Sequence, residues 1–372
     1  MTRALLAVVL ILGHVPVAAA RTRAVRHSSP YVPPAAIVAA AQQAAQAAMD
    51  SGVPAVQIAV WHRDRIIYSA AFGVTDKINA TAATPRSVMQ IGSVTKQFTA
   101  AAILRLAERG ALTLDDPIQK YVPEFDTSGA TITLRRLMSH TAGIPLSWQL
   151  PGTGSFGPAT RAQVIQSLNQ QPLNFPPGAG WSYSNAGYML LGYAIESVTG
   201  KSFADFIHEE FALPLGLIDT GVCGTHNLPL PEGYGGLVPG LSTMKPPHPS
   251  AVWSSGSFCS TASDLARWAH LLATGYVMLP SSYVTMTTPA RLANNALVGN
   301  GYALGVVRQP ILGHPAVWHG GAIEGYQSFL LYLTDRDIAI AVVINAYPAK
   351  TAGDPQLIAL AVAKAALATT LP

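Results

Sequence analysis

The spacing of apolar and polar positions divides the chain into regions of different texture. Ala35 to Ser51 is rich in Ala and Gln without a breaker and predicts a helix. The stretch "VPAVQIAVWHRDRIIYSAAFG", Val53 to Gly73, gives two apolar runs separated by His62, Arg63, Asp64 and Arg65, which is a hairpin pattern. "GSVTKQFTAAAILRLAERG", Gly92 to Gly110, reads as one amphipathic helix stopped by Gly110, and its apolar stripe of Ala100, Ile103 and Ala107 begins with an ammonium group, Lys96. The chain from Ser93 to about Ser250 is mostly helical pieces broken by Pro/Gly loops, notably "LPGTGSFGPAT" and "NLPLPEGYGGLVPGLSTMKPPHPS". From Gly301 the runs become short and turn-bounded again, as "GYALGVV", "AVWHGG", "YQSFLLYLTD" and "IAIAVVIN", which predict strands. Gln356 to Thr370 closes the chain as an Ala/Leu helix.

Strands at both ends with helices between them predict an α+β architecture. One sheet is assembled from residues 35–92 and 300–368, and a mostly helical region, 93–299, is inserted into it. Residues 35–368 then form a single domain, with its site in the crevice where the two regions meet.

Composition narrows the function classes. The chain has 372 residues, 49% of them hydrophobic and 11% charged, which marks an apolar globular chain and not a disordered one. A net charge of +4, with no long Lys/Arg run and no basic stripe interleaved with aromatics, argues against nucleic acid as a partner. Residues 1–20 carry Arg3, an apolar run from Ala4 to Gly13, and small residues at Ala18, Ala19 and Ala20, the pattern of a secretory signal peptide. The alternative, a membrane anchor, needs about 20 apolar residues, and that run is shorter. Residues 21–34 read as a flexible lead-in, no later window suits a membrane span, and the expected location is the periplasm or the exterior. An oxidising compartment would let the two cysteines, Cys223 and Cys259, pair; two small buried thiols are the alternative. Neither C-x-x-C nor Cys/His metal spacing occurs, so no metal is implied.

Three short motifs carry candidate chemistry. Ser93 stands at a helix N-terminus, where unpaired backbone N–H groups favour developing negative charge, and Lys96 projects from the same face one turn later. A hydroxyl becomes a nucleophile when a neighbouring base takes its proton, and burial turns a lysine into such a base by disfavouring its charged form. Tyr183-Ser184-Asn185 opens a second helix, placing a phenol able to relay a proton and an amide able to hold both Lys96 and substrate. His319 ends an apolar run and is followed by Gly320 and Gly321, where a backbone approaches a ligand closely and the Ala322 N–H can join that of Ser93 as an oxyanion hole. Each motif alone has an ordinary reading: a capping serine with a snorkelling lysine, a packed tyrosine, a glycine turn.

In the order S-x-x-K, Y-x-N, H-G-G, the three together resemble the serine hydrolase superfamily of class C β-lactamases, DD-peptidases, D-aminopeptidases and related esterases. The phrases "LTLDDPIQKYVPEF", "LMSHTAGIP", "NFPPGAGWSYSNAGYMLLGYAIESVTGKSF", "LPLGLIDT" and "CSTASDLARW" are similar to segments of that family, and the resemblance runs from about Ala35 to Leu360. It implies an antiparallel sheet backed by helices, a helical region, and a site in the cleft between them. It also implies Ser93 as acylated nucleophile, Lys96 as its activating partner, Tyr183 as proton shuttle, Asn185 as substrate and lysine orienter, and His319 as the third-box residue. Gly320 and Gly321 follow it, and the N–H groups of Ser93 and Ala322 would form the oxyanion hole.

The chain departs from class C β-lactamases at His319, where they carry a lysine that helps hold a substrate carboxylate. A neutral imidazole is a poorer anchor, so the resemblance leans toward the peptidase and esterase branches, with Arg308 and Lys245 as the basic residues that could supply charge instead. "GTGSFG" matches a dinucleotide fingerprint but lies between prolines with no strand before it, and "GKS" at Gly200 to Ser202 lacks the first glycine of a phosphate loop. His140 in "SHTAGIP" and the Asp115-Asp116 pair read as structural turns, and Trp148, Trp181 and Trp253 as cleft or core aromatics. No G-x-S-x-G occurs, which removes an α/β-hydrolase triad. The expectation is an exported serine hydrolase with no cofactor, acting through a Ser93 acyl-enzyme on a small-molecule or peptide substrate: a peptidoglycan-like peptide, a D-amino acid peptide or a small ester. A class C-like β-lactamase and a catalytically silent cell-wall-binding module are the alternatives.

Overall fold

The computed structural model describes residues 31–148, 157–235, 242–349 and 351–371. The expected signal peptide, most of the expected lead-in, and most of "GTGSFG" lie outside the described residues. Helix α1, Ala35–Asp50, precedes a hairpin of β1, Ala55–His62, and β2, Arg65–Asp76. The hairpin turns at Arg63, whose φ of 53° is the left-handed geometry that a two-residue connection demands. Strand β3, Thr81–Ala82, extends the edge, and β4, Val307–Arg308, β5, Ala316–Ile323, β6, Tyr326–Leu333, and β7, Ile338–Ile344, complete a seven-stranded sheet.

The strand order is β3-β2-β1-β7-β6-β5-β4, every neighbour antiparallel. The two chain ends therefore meet in the middle of the sheet, where β1 pairs with β7 from Val56 opposite Ile344 to His62 opposite Ile338. All seven residues of β7 are buried, as a strand covered on both faces requires. One face is covered by α1 and the C-terminal helix Pro355–Leu367, the other by the helix Ala262–Ala273. Pro33–Pro372 form one compact unit.

Two expectations are adjusted by the structure. "GYALGVV" is not a continuous strand: Gly301 and Gly305 have φ of 68° and 77°, so the chain turns twice before the short β4 begins. The helix after Ser93 is not a surface helix with one apolar stripe. A single turn of 3-10 helix, Gly92–Val94, leads into α2, Thr95–Glu108, and every residue from Thr95 to Leu104 is buried. Such a helix is enclosed on all sides by the inserted region. Gly305 contributes to this enclosure, since a Cβ there would stand 2.8 Å from the Lys96 carbonyl.

The inserted region is mostly helical, and among the described residues two small sheets accompany it, one of them taking a strand from just before Ser93. The three-stranded one pairs Phe258–Ser260 with Met89–Gln90 and with Gly221–Val222. Cys223 and Cys259 are disulfide-bonded beside it, with their Cα atoms 5.1 Å apart. This small sheet fixes Ile91, and so sets where the following turn places Ser93.

Candidate active site

Ser93 is presented by the 3-10 turn between a strand and α2, and it is only partly buried although its neighbours on both sides are buried. The turn is pressed against β5. Gly92 has φ of 51°, and a Cβ on it would lie within 2.8 to 2.9 Å of the Ala322 backbone; a Cβ on Gly321 would lie 2.0 Å from the Ile91 carbonyl oxygen. Two glycines thus let the Ser93 turn and the strand touch backbone to backbone. The Ser328 hydroxyl, from β6, donates to the Ile91 carbonyl at 2.7 Å and holds the same contact. The close approach that demands glycine is thus made by the protein's own chain at Gly321. Gly320, whose Cβ would meet nothing nearer than 3.8 Å, is under no such constraint.

Lys96 is 0% exposed, and its Nζ donates to Ser93 Oγ at 3.1 Å, Asn185 Oδ1 at 2.8 Å and the Ser255 carbonyl at 2.7 Å. No carboxylate is among these partners. Burial therefore holds the ammonium well below its ordinary range. Tyr183 and Tyr188 place their rings 4.8 and 5.4 Å from Nζ. Asn185 begins helix Asn185–Thr199, and the Ser184 side chain caps it by accepting from the Gly187 N–H. Burial raises the Tyr183 hydroxyl above its ordinary value, partly offset by a hydrogen bond with Ser93.

His319 lies on the buried side of β5, and its environment is a chain of hydrogen bonds that the sequence motifs did not reveal. The Ser184 N–H donates to His140 Nδ1 at 3.1 Å, so a neutral His140 carries its proton on Nε2 and donates to Tyr302 Oη at 3.0 Å. Tyr302 in turn donates to His319 Nε2 at 3.0 Å, and His319 Nδ1 donates to the Gly320 carbonyl at 2.6 Å. Burial pushes His319 down to about 4, and His140 moves the same way for the same reason. Both imidazoles are neutral at pH 7. His140, expected as a structural turn, does sit in one, at φ 59°, and its ring also orients the third box. Tyr302 was missed because the glycine turns around it read as a strand; its tyrosine in an otherwise apolar segment was the available signal.

The Asp115 carboxylate pairs with Arg135, and Asp116 pairs with Lys120 and Tyr121 on the surface, away from the serine. A cavity of about 270 Å³ opens in front of Ser93, with Asn185, Ala322 and Trp148 in its wall. It faces the sheet edge on one side and the inserted helices on the other. Trp181 packs beside His140 and Tyr302, and Trp253 against Phe203; neither lines the cavity. Among the described residues no group of three or more His, Cys, Asp and Glu could hold a metal ion.

An antiparallel sheet here meets a helical region, with a serine at the junction and a buried amine one turn behind it. The chain belongs to the Beta-lactamase family, whose model matches residues 41–363. It is 28% identical over 298 residues to penicillin-binding protein 4* of Bacillus subtilis strain 168, covering 75% of this chain. The match spans 65% of that protein's length, under two thirds. Among solved structures it is similar to a D-stereospecific amidohydrolase from Streptomyces sp., with 28% identity, a TM-score of 0.72, and coverage of 89% of this chain and 99% of that one. It is also similar to the octameric penicillin-binding protein homologue from Pyrococcus abyssi, with 25% identity, a TM-score of 0.76, and coverage of 90% and 78%.

Proposed function

We propose that the protein is an exported hydrolase that cleaves amide or ester bonds through an acyl-enzyme on Ser93. The observation that carries the reading is the fully buried Lys96, whose Nζ is 3.1 Å from Ser93 Oγ and which lacks any carboxylate partner. Burial shifts the two candidate bases in opposite directions. It lowers the lysine and raises the Tyr183 phenol, so the neutral amine takes the serine proton while the phenol stays protonated. As Ser93 Oγ bonds to the substrate carbonyl carbon, the N–H groups of Ser93 and Ala322 receive the oxyanion. When the carbonyl–leaving-group bond breaks, Tyr183 passes a proton to the departing nitrogen or oxygen and regains one from Lys96. Water then attacks the ester by the same route in reverse and frees Ser93.

Asn185 ties Lys96 to the substrate side of the cleft. His319, neutral and held in one tautomer, supplies shape and a fixed strand end, not a positive charge. That supports the peptidase and esterase branches over β-lactam hydrolysis, which needs an anchor for a carboxylate. The apolar run after Arg3 and the bonded Cys223–Cys259 pair support export. Within residues 35–368 the sheet region and the inserted region act as one domain with the cleft between them.

The test is turnover of a short-chain aryl ester, a D-Ala-D-Ala peptide and a cephalosporin by the wild-type chain and by Ser93→Ala. The reading expects activity on the ester or peptide that is lost in Ser93→Ala while circular dichroism is unchanged. Undiminished turnover by a folded Ser93→Ala protein would overturn it.

A further inference from the structure

The cavity in front of Ser93 is lined by a carboxylate, Glu324, that has no cationic partner among the described residues. Glu324 follows the last residue of β5 and lines the cavity together with Ser93, Asn185 and Ala322. Glu324 is the first residue of the two-residue turn, closed by Gly325 at φ 80°, that joins β5 to β6, and it is half-buried. Ala322, Ile323 and Glu324 all line the cavity, so the turn brings the carboxylate to the same space that Ser93 faces. Burial raises the Glu324 carboxyl, and the only group that offsets this is its own backbone N–H.

Among the described residues no lysine or arginine lines this cavity. Lys245 and Arg308, the two basic residues the sequence offers to a substrate carboxylate, do not line it, and Arg308 turns its guanidinium toward Thr287. The two undescribed internal segments, 149–156 and 236–241, contain no ionisable side chain; the undescribed cations lie within 1–30 and at Lys350. Lys96 is behind the serine and occupied by Ser93, Asn185 and Ser255. A partly desolvated carboxylate with no cation is costly, and a cationic ligand relieves that cost.

The strand also says which half of a substrate meets Glu324. The proton-relaying Tyr183 and His319, with ring centroids 6.4 Å apart, mark the leaving-group end of β5. Glu324 lies past the opposite end of the strand, in the turn after Ile323, and Ala322 stands between it and His319 in the chain. The acyl half of the substrate therefore extends toward Glu324. At about 270 Å³ the cavity lies at the small end of ligand sites, suited to one residue and not to an extended acyl chain.

We infer that Glu324 binds an ammonium group on the acyl half of the substrate, so that the site takes aminoacyl donors: amino-acid amides, amino-acid esters, or peptides attacked at a free N-terminal residue. The inference rests on Ser93 being the acylated residue. It makes the chain an aminoacyl hydrolase and disfavours substrates whose acyl half carries a carboxylate.

The experiment uses the full chain and a matched set of alanine thiobenzyl esters, in both enantiomers, with the α-nitrogen free, N-acetylated or N-succinylated, alongside fluorophosphonate labelling of Ser93. The expected result is a kcat/KM for the free amine that exceeds the acetylated ester by about 10- to 100-fold, the size of a charge-assisted contact, with the succinylated ester slowest. Glu324→Gln, close to isosteric and so unlikely to disturb folding, should collapse the ratio toward one, and Glu324→Lys should turn the preference toward the succinylated ester. A wild-type ratio near one, or a ratio that survives in Glu324→Gln, overturns the inference. If Ser93 labels and the ratio is flat, only the ammonium site has failed; if Ser93 neither labels nor turns over any ester, the acyl-enzyme reading has failed and the inference falls with it.

Discussion

Replacing Lys96 with methionine separates chemistry from stability in one experiment. The side chain keeps its length and loses its amine. The structure gives two estimates that point in different directions. On the stability side, the Asn185 Oδ1 and Ser255 carbonyl lose a donor, at about 1 to 3 kcal/mol each, while the cost of burying an amine disappears. The net change is therefore small, within about 2 kcal/mol of wild type. On the chemical side, Ser93 loses the base that stands 3.1 Å from its oxygen, and general-base catalysis is worth about 10²- to 10⁴-fold. Stopped-flow measurement of the acylation burst with an aryl ester, paired with urea denaturation, reads both quantities. Because burial lowers the Lys96 pKa, wild-type acylation should rise with pH and reach its plateau well below pH 10.5, and the variant should lack that limb. A Lys96→Met protein that folds normally and acylates within tenfold of wild type would refute the assignment of the amine as the base.

Gly321→Ala puts a Cβ 2.0 Å from the Ile91 carbonyl oxygen, so β5 must move away from the nucleophile turn. Both stability in denaturation and kcat should fall, and an unchanged kcat would show that the contact does not position the site. Tyr302→Phe leaves His140 Nε2–H and His319 Nε2 facing an apolar edge, at about 1 to 3 kcal/mol per buried group, so urea unfolding should show a loss of about 2 to 6 kcal/mol. Both imidazoles are neutral in the fold, and the unfolded chain takes up their protons first as pH falls below 6.5. For His319, moved from 6.5 to about 4, stability should fall by about 3 kcal/mol between those two values, and a flat stability profile over that range would contradict its burial as a neutral base.

Much of the fold was legible because its strands are short, apolar and turn-bounded at both ends of the sequence, and period alone separates them from the helices between. Pairing of β1 with β7 across nearly the whole chain follows from that arrangement, since an inserted region must leave and return at the same sheet. The failures have local causes. "GYALGVV" has the composition of a strand, but Gly301 and Gly305 adopt left-handed φ values that composition does not disclose. The stripe of α2 was read as one buried face when its first ten residues are buried all round, because enclosure depends on neighbours distant in sequence. At the site, Ser93, Lys96 and Asn185 could be named from motif order and are hydrogen-bonded together in the fold. Tyr302 offers the sequence only a phenol in an apolar segment, and Glu324 offers no motif at all, because the one meets His140 and His319 and the other shares a cavity with Ser93 only in the fold.

The most direct test of the central claim is intact-protein and peptide mass spectrometry after incubation with a fluorophosphonate. The account predicts one covalent adduct per chain, located on Ser93 and formed at least a hundredfold more slowly in Lys96→Met. An unmodified chain, or an adduct on a different serine, would contradict it.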